Sequence, residues 1–474
     1  MSNPAPASSW AALKQLTRYQ WFVFIVCCLA WDMDCMDQQL FVLARRPAMM
    51  DLVPKVVADT PAEAKKLFDA AVASAAGYAT MYFMLGWAVG GIGFGIMGDR
   101  VGRVKTLTLT ILLYALFTGL SAFSTSTFDF YVYRFLTGLG VGGVFAAAVT
   151  LLAETMPDRV RPLALGLFQA SSVLGNCTAA LLSMWFGSMK ESIASLTLFG
   201  TALTPWKLMF LVGIVPGLLV VLVQLKLKEP ERWRQLKAEG KKGGSYSELL
   251  GDPRWRSRAL FGLLLAVAGV VGLWGIAFFS PDLQQYVAEP TYKAEAATKG
   301  LTGEEADQYV SGEKAKWAGI TSLVQNIGAF FGIFAFSLLT ARFGRKPTFA
   351  LFFVLAGLST AAVFLFLKSW SDIFWMVPVM GFFQLALFGG YAIYFPELFP
   401  TRLRSTGTSF CYNVGRLVSA VGPAALGLLT SQVYKDLPAP DPLRYAGVTM
   451  CLVFLLGLVA LPFLPETKGK PLPE

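Results

Sequence analysis

The chain has 474 residues, of which 55% are hydrophobic and only 15% are charged, and its mean hydropathy is +0.56. These values exclude an ordinary soluble domain and indicate a polypeptide that lies largely within a lipid bilayer. The net charge of +10 would suit a nucleic-acid-binding protein. The basic residues concentrate in loops on one side of the predicted spans, however, so they indicate membrane orientation, and nucleic acid is not an expected partner.

Apolar stretches of roughly 20 residues, the length of a helix that crosses a bilayer, recur along the whole chain. Twelve of them are centred near residues 32, 85, 115, 141, 175, 217, 269, 328, 357, 384, 418 and 454. The first is too long and too acidic for the apolar part of a cleaved signal, so it is expected to remain as an anchor. We therefore predict an all-α membrane protein with twelve transmembrane helices in two pseudo-symmetric bundles.

A polar stretch divides the predicted spans into two sets of six. We predict an N-terminal six-helix bundle at residues 1–225, a cytoplasmic linker at 226–257, and a C-terminal six-helix bundle with a short tail at 258–474. Residues 45–69 and 281–316 are expected to be long outer loops with short surface helices, and their roles stay open.

Charge placement predicts which side of the membrane each loop faces. With the N-terminus inside, the inner loops and tails hold about 24 Lys and Arg residues and the outer loops about 14. Acidic residues show the opposite bias. The positive-inside rule therefore predicts a multi-pass protein of the inner or plasma membrane with both termini in the cytoplasm.

Metal and cofactor chemistry has little support in the composition. The chain has no histidine, so histidine-based zinc sites and histidine-dependent catalysis are excluded, and any proton must be carried by a carboxylate. The cysteines all lie in predicted spans without a C-x-x-C pair, so they are expected to be packing residues: Cys27, Cys28, Cys35, Cys177, Cys411 and Cys451. The glycine-rich stretch Gly138–Gly143 follows no strand and is not a nucleotide loop. We expect the protein to bind no cofactor and to have no enzymatic activity.

The same charged signature occurs twice, roughly 240 residues apart, in short loops between apolar segments. Such a repeat predicts two related halves that move against each other. The residues predicted to form a gate at this level are Asp99, Arg100, Arg103, Glu154, Arg342, Arg345, Glu397 and Arg404. Asp99 is expected to accept hydrogen bonds from the N-terminus of a helix in the facing half. Glu154 and Glu397 are expected to pair with Arg103 and Arg345, so that the contacts act as a latch.

A few charged residues lie inside the predicted spans, where a charge is costly and is therefore a functional candidate. Asp37 and Arg134 both lie roughly 9 Å below the outer ends of their helices, so they are predicted to pair. A purely structural salt bridge is the alternative. Asp34 shares a helix face with Asp37 and lies near the midplane, as does Arg416, and transporter substrates bind at that depth. A packing ion pair remains an alternative for Arg416, and the role of Asp32 is open.

Other polar and aromatic side chains of the spans are expected to line the same cavity and contact a substrate. They are Gln38, Tyr78, Tyr82, Gln169, Asn176, Trp274, Gln325, Asn326, Gln384, Tyr412 and Asn413. The apolar surface would come from aromatic residues of the seventh and tenth spans, namely Phe278, Phe382 and Phe383.

Several of these motifs resemble those of a known family. Residues 98–105 resemble the signature of the major facilitator superfamily, and residues 342–346 resemble its degenerate second copy. Residues 465–470 are similar to the C-terminal signature shared by sugar porters and organic ion transporters. Residues 34–37 are similar to the first-span motif of aromatic acid:proton symporters, with Cys-Met in place of Gly-Phe. Residues 416–423 resemble the eleventh span of organic anion transporters.

The resemblance implies a secondary active transporter that imports a small organic anion with protons by alternating access. Arg416 would bind the carboxylate, and Asp37 would carry the proton under control of Arg134, with Asp34 tuning the charge of the cavity. The alternatives are a sugar or polyol porter, an organic cation transporter that uses Asp34 and Asp37 as counter-charges, and a transporter-like nutrient sensor. The expected partners are a small-molecule substrate, protons and the lipid bilayer, and the protein is expected to be a monomer.

Overall fold

The computed structural model describes residues 14–55, 57, 59–189, 192–193, 195–198, 201–218, 226–240, 243–419, 421–438 and 440–473. Within these ranges ten helices are long and apolar enough to cross a membrane. The only regular β-structure described is a two-residue ribbon, in which β1 (Thr197–Leu198) pairs antiparallel with β2 (Thr201–Ala202). The fold is therefore all-α, as predicted.

The N-terminal half begins with a helix whose first turn is closed by a capping box between Thr17 and Gln20. Ser126 and Asp129 form a second capping box at the fourth helix. The helices of this half are α1 (Arg18–Leu52), α2 (Pro61–Arg100), α3 (Arg103–Ser121), α4 (Thr127–Thr155), α5 (Arg161–Ser188) and α6 (Pro205–Val212). The sixth predicted span corresponds to a shorter apolar helix, Pro205–Leu218, and residues 219–225 lie outside the described chain.

Two short helices form the linker between the halves, α7 (Glu231–Ala238) and α8 (Tyr246–Gly251). The helices of the C-terminal half are α9 (Pro253–Val270), α10 (Ser280–Thr298), α11 (Gly303–Phe343), α12 (Arg345–Phe366), α13 (Ile373–Leu398), α14 (Arg404–Ser409), α15 (Gly415–Ser419), α16 (Val421–Leu428), α17 (Asp441–Met450) and α18 (Val453–Ala460). A π-helical segment, Val271–Ile276, follows α9.

The eleventh predicted span is not one regular helix. It runs as α14, a π-helical segment at Phe410–Val414, α15, α16 and a second π-helical segment at Leu429–Val433. π-Helical turns are rare and are frequent at functional sites, because the extra residue redirects the side chains that follow it. We call this succession the eleventh span.

The two predicted long loops are largely helical. Helix α1 continues to Leu52 and α2 begins at Pro61, so most of residues 45–69 extends the flanking helices. Helices α10 and α11 occupy most of residues 281–316 in the same way. Apolar content predicts where a helix enters the bilayer, but a polar sequence can continue the helix into water, and the next helices begin only at the N-caps Thr60 and Thr302.

The glycine-rich stretch of α4 serves close helix packing. A Cβ atom added to Gly138 would lie 2.2 Å from the carbonyl oxygen of Phe83, and one added to Gly142 would lie 2.2 Å from that of Trp87. On the facing helix, a Cβ atom on Gly90 would lie 2.0 Å from the carbonyl oxygen of Leu139. Helices α2 and α4 therefore pack backbone against backbone, which a side chain larger than hydrogen would prevent.

This packing gives a prediction for stability. Gly90→Ala is expected to lower the free energy of unfolding by about 1–3 kcal/mol, because the new methyl group meets backbone that cannot move without separating the helices. The check is thermal unfolding of the detergent-solubilised protein. Gly93→Ala is the matched control on the same helix, since a Cβ atom there meets nothing within 4 Å. Equal melting temperatures for the two variants would contradict the packing argument.

Candidate functional site

Both copies of the signature lie at one end of the bundle, which we call the signature end. Here the buried carboxylate of Asp99 accepts hydrogen bonds from the backbone N–H groups of Ser405, at 3.1 Å, and Thr406, at 2.8 Å. The Thr406 hydroxyl donates a further bond to it at 2.7 Å. Helix α14 begins at Arg404, so Asp99 of one half caps the N-terminus of a helix of the other half.

A buried ion-pair network surrounds this cap. The Arg103 guanidinium lies 3.2 Å from Asp99 and 3.0 Å from Glu154, and it donates to the Thr401 carbonyl oxygen of the other half at 2.6 Å. Arg404 reaches back across the halves and lies 2.5 Å from the same Glu154 oxygen. The side chains of these ion pairs are fully buried. Because buried charges depend on their partners, separating the halves at this end would be costly unless water replaced the contacts.

The Arg–Glu pair of the second copy repeats the local geometry of the first but stays within one half. Arg345 forms a two-point contact with Glu397, at 2.9 and 2.7 Å, within the C-terminal half. Asp99 has its counterpart at Ala341, which has no carboxylate to offer. The carboxylates of the latch between the halves are therefore Asp99 and Glu154 of the first copy, and Arg404 of the second copy pairs with Glu154.

Arg100 and Arg342, predicted as gate residues, form no described bond to the opposite bundle. The Arg100 Nε atom donates to the Gly243 carbonyl oxygen of the linker at 3.1 Å. Arg342 is exposed, and its guanidinium lies 5.3 Å from the centre of the Phe343 ring. Both side chains project from helix ends into solvent or toward the linker, where neither faces a carboxylate of the other bundle.

Two glutamates that were not among the predicted site residues cap the helices that follow the signature copies. Glu229 accepts from the backbone N–H groups of Arg103, at 2.7 Å, and Val104, at 3.0 Å. Glu466 accepts from those of Arg345 and Lys346, each at 2.9 Å. Burial raises the pKa of Glu229 against these donors. For Glu466, burial acts in the same direction, but its backbone donors prevail and its pKa is lowered. A glutamate beside a proline, after the last span of each half, is the signal that could have identified them.

The linker packs against the signature end. The Trp233 indole donates to the Asp99 carbonyl oxygen at 2.7 Å, and the Gly244 N–H group donates to the Arg402 carbonyl oxygen at 2.8 Å. Glu248 and Arg402 form an ion pair at 2.7 Å. The linker therefore contacts both halves where they meet.

Arg416 lies at the centre of the second site, in the eleventh span. Its guanidinium carbon lies 4.0 Å from the centre of the Trp87 ring and 4.5 Å from that of Tyr412. One Nη atom donates to the Tyr412 hydroxyl at 2.8 Å, and the buried Nε and second Nη atoms have no hydrogen-bond partner among the described residues. Tyr412 in turn stacks on Phe145, with ring centres 3.9 Å apart. The guanidinium therefore contacts two aromatic rings and keeps unused donors, an arrangement that suits a carboxylate ligand.

Two buried carboxylates of α1 complete the charged part of the site. Asp34 accepts one hydrogen bond, from Gln38 at 2.8 Å, while its other oxygen has no described partner. Arg416 is close enough to interact electrostatically with Asp34. Asp37 is fully buried, and neither of its oxygens is hydrogen-bonded within the described chain.

Asp37 and Arg134 do not form the predicted direct pair in this conformation. Arg134 donates to the Ser121 hydroxyl at 3.1 and 2.5 Å and to the Phe117 carbonyl oxygen at 3.3 Å, both on α3. Its guanidinium also lies 4.7 Å from the centre of the Phe210 ring. Asp37 still acts on Arg134 electrostatically. The two residues are at a similar depth, as estimated, but rotation about α4 directs the guanidinium toward α3.

The site is closed on the signature side of Arg416. Asn413 donates to the Gly142 carbonyl oxygen of α4 at 3.1 Å, and Ser409 donates to the Gly91 carbonyl oxygen of α2. On the other side of Arg416, a cavity of about 770 Å³ lies between α1, α2 and Leu417. This cavity reaches the eleventh span at Leu417, the residue that follows Arg416.

The remaining predicted substrate residues are distributed more widely. Tyr78 and Tyr82 are exposed on α2 and lie beside Tyr131, with ring centres 6.4 and 5.3 Å away. Gln384 donates to the Gly272 carbonyl oxygen at 2.7 Å and thereby joins two helices of the C-terminal half. Asn326 donates to the Ser322 carbonyl oxygen of its own helix. Gln169 and Gln325 are buried. Three further residues are half-buried, namely Asp32, Asn176 and Trp274 of the π-helical segment.

The structure thus brings together Asp34, Gln38, Tyr412 and Arg416 from the prediction. It places Asn413 in the contact between the halves rather than in the open cavity. Trp87 and Phe145, which hold Arg416 and Tyr412, were not predicted. A single aromatic residue in an apolar span has no sequence signal that separates a site residue from a packing residue.

Known proteins are similar to this chain over most of its length. The cis,cis-muconate transport protein of Acinetobacter baylyi is 28% identical over 75% of this chain and 78% of its own length. The 4-hydroxybenzoate transporter PcaK of Pseudomonas aeruginosa is 25% identical over 94% of each chain. Among solved structures, the proton:xylose symporter XylE of E. coli has a TM-score of 0.70 at 17% identity and covers 96% of this chain and 98% of its own.

The sequence pattern of the Major Facilitator Superfamily matches residues 63–303 and 306–474. The predicted fold is confirmed by this match and by the likeness to XylE, and the chain is a multi-pass membrane protein. Members of the family bind small-molecule substrates within the membrane. With the match extending over both halves, this chain belongs to the Major Facilitator Superfamily.

Proposed function

We propose that this protein is a secondary active transporter that imports a small carboxylate together with protons by alternating access. Arg416 binds the carboxylate, Asp37 carries the proton, and Asp34 and Arg134 tune the charge around them. The signature end and both termini face the cytoplasm of the inner or plasma membrane, in keeping with the positive-inside bias. The protein acts as a monomer.

The observation that carries this proposal is the Arg416 guanidinium. Two of its buried nitrogen atoms lack hydrogen-bond partners in the described chain, while Trp87 and Tyr412 hold its plane in place. A guanidinium presents paired donors that match the two oxygens of a carboxylate. The contacts of Asn413 and Ser409 close the signature side of Arg416 and the cavity lies toward the other end, which supports a conformation that receives substrate from outside.

The names of the relatives support an organic anion. They refer to cis,cis-muconate and 4-hydroxybenzoate, which both carry a carboxylate at neutral pH. The likeness to a xylose symporter concerns the fold alone. A sugar or polyol porter is the second candidate because residues 465–470 are similar to the C-terminal signature of sugar porters.

Ligand-induced stabilisation of the purified protein tests the substrate class. A ligand that binds the folded state raises the free energy of unfolding, by about 2.7 kcal/mol at a concentration a hundredfold above Kd, and therefore raises the melting temperature. We expect 4-hydroxybenzoate, cis,cis-muconate or nicotinate to do so, and xylose, sorbitol and tetraethylammonium to have no effect. Stabilisation by the sugars or by the cation alone would overturn the carboxylate proposal.

The latch gives a further prediction. Asp99→Asn should weaken the contact with α14, because a neutral amide loses the charge that faces the helix N-terminus and can accept at only one of its two heavy atoms. A loss of about 2 kcal/mol would shift the balance between the two conformations roughly thirtyfold. The maximal uptake rate should fall several-fold, while the Kd for the carboxylate at the Arg416 site changes little.

The matched control is Asp158→Asn. Asp158 is also an acidic residue at the signature end, but its side chain is 61% exposed and pairs with Arg161 of its own half. We expect this variant to transport as the wild type does. Wild-type maximal rates for Asp99→Asn across the concentration range would refute the latch role.

A further inference from the structure

The cavity that opens beside Arg416 has a charged outer rim. Its wall from α1 includes Val42, Arg45 and Arg46, and Thr80 and Met84 contribute from α2. Leu417 contributes from the eleventh span and directly follows Arg416 in the chain. The cavity therefore extends from the Arg45 and Arg46 rim to the turn of the eleventh span that carries Arg416.

The two rim arginines lack described acidic partners. Arg45 is half-buried and donates from one Nη atom to the Thr80 hydroxyl at 3.0 Å, and Arg46 is exposed. No ion pair within 4.0 Å joins either of them to a carboxylate in the described ranges. Each guanidinium has five N–H donors, so most of this capacity is left for water or an anion. Lys and Arg are also less frequent in the outer loops of membrane proteins than in the cytoplasmic loops.

Helix geometry connects this rim to the inner site. At 100° per residue, Asp34, Gln38, Val42 and Arg45 lie within about 80° of one another on one face of α1. Arg45 is eleven residues beyond Asp34, which corresponds to roughly 16 Å along the helix axis. On α2, Met84 follows Thr80 by four residues and Trp87 follows Met84 by three, so one face leads from Arg45 to the ring that lies beside Arg416.

We infer that Arg45 and Arg46 form an outer carboxylate station that captures the anionic substrate before it reaches Arg416. This inference rests on the proposed function and adds a second binding site for the same substrate class. The apolar side chains of Val42, Met84 and Leu417 accommodate the hydrocarbon part of the anion. A positive rim on a narrow cavity raises the local concentration of anions and their rate of association, and salt screens this effect.

The experiment measures initial uptake of 4-hydroxybenzoate and cis,cis-muconate in cells, at low and at physiological ionic strength. The Arg45→Gln/Arg46→Gln double variant should raise KM several-fold at low ionic strength, with the maximal rate within about twofold of the wild type. The difference in KM should shrink as salt is added. Arg159→Gln, which removes an exposed arginine at the signature end, is the charge control and should leave KM unchanged.

A purely structural role for Arg45 predicts a different kinetic result. Thr80→Val removes the hydrogen bond to Arg45 but keeps both charges, so KM at low salt should stay near that of the wild type. An unchanged KM in the double variant, or a lower maximal rate at unchanged KM, would overturn the outer station while carboxylate uptake itself survives. Failure of the wild type to take up or bind any carboxylate would instead overturn the proposed function and this inference together.

Discussion

Arg416→Lys should reduce carboxylate uptake at least several-fold, with the loss mainly in affinity. Lysine keeps the positive charge but loses the planar two-point contact with a carboxylate and the flat packing between Trp87 and Tyr412. Losing a charge-assisted hydrogen bond of about 2 kcal/mol corresponds to roughly a thirtyfold weaker Kd. Ligand-induced melting shifts and concentration-dependent uptake measure this loss directly.

A control separates the site from a general effect of replacing arginine. Arg342→Lys alters another arginine that lies over an aromatic ring, but Arg342 is exposed at the signature end and remote from the cavity residues. It should behave as the wild type. If Arg416→Lys bound carboxylates with wild-type affinity, or if sugars competed fully while carboxylates had no effect, Arg416 would not be the anion site.

Much of the signature end could be predicted because its chemistry is local and repeated. The repeat and its spacing indicated that Arg103 faces Glu154 and that Arg345 faces Glu397, and the structure contains both contacts. The bond from Arg404 to Glu154 could not be predicted in the same way. Its counterpart in the first half, Arg161, bonds to Ala153 and Asp158 of its own half, so the partner depends on which conformation brings the halves together.

The charged residues of the membrane interior show the limit of depth as a guide. Counting residues along α1 and α4 placed Asp37 and Arg134 at similar levels, but a count does not determine how each helix is rotated against its neighbours. In the structure the Ser121 hydroxyl and the Phe117 carbonyl oxygen take the Arg134 donors. Rotation is determined by packing, here by the backbone contact of α2 and α4 at Gly90, and that information is distributed over many residues.

The same reasoning explains the substrate residues. Polar residues in spans were all candidates, yet Gln384 joins helices and Asn413 closes the contact between the halves. A polar side chain in lipid must find a hydrogen-bond partner somewhere, and a neighbouring helix is as suitable as a ligand. Gln384 and Asn413 each keep one unpaired amide oxygen, whereas Arg416 and Asp34 keep unpaired atoms on charged groups, which suit a ligand or a proton.

The proton-carrying role of Asp37 gives the prediction with the largest expected effect. Asp37→Asn should abolish accumulation of the carboxylate driven by a pH gradient, because an amide cannot gain or lose a proton in the physiological range. The same variant should retain exchange of labelled for unlabelled substrate across liposomes, since exchange needs no net movement of protons. Both assays are carried out on one preparation of reconstituted protein, so a folding defect would be detected as a loss of both.

The environment of Asp37 is the reason to expect this result. Neither oxygen of the buried Asp37 carboxylate has a described hydrogen-bond partner, so burial and nearby charge decide whether it holds a proton, and that proton can follow a change of conformation. Arg134 acts on it electrostatically without a direct bond, so a small rotation of α4 would change that influence. Asp129→Asn is the control, because Asp129 lies on the same helix as Arg134 but serves as an N-terminal cap. It should affect stability and leave coupling intact. Gradient-driven accumulation that survives in Asp37→Asn would move the proton site to Asp34 or Asp32, or make the protein a uniporter.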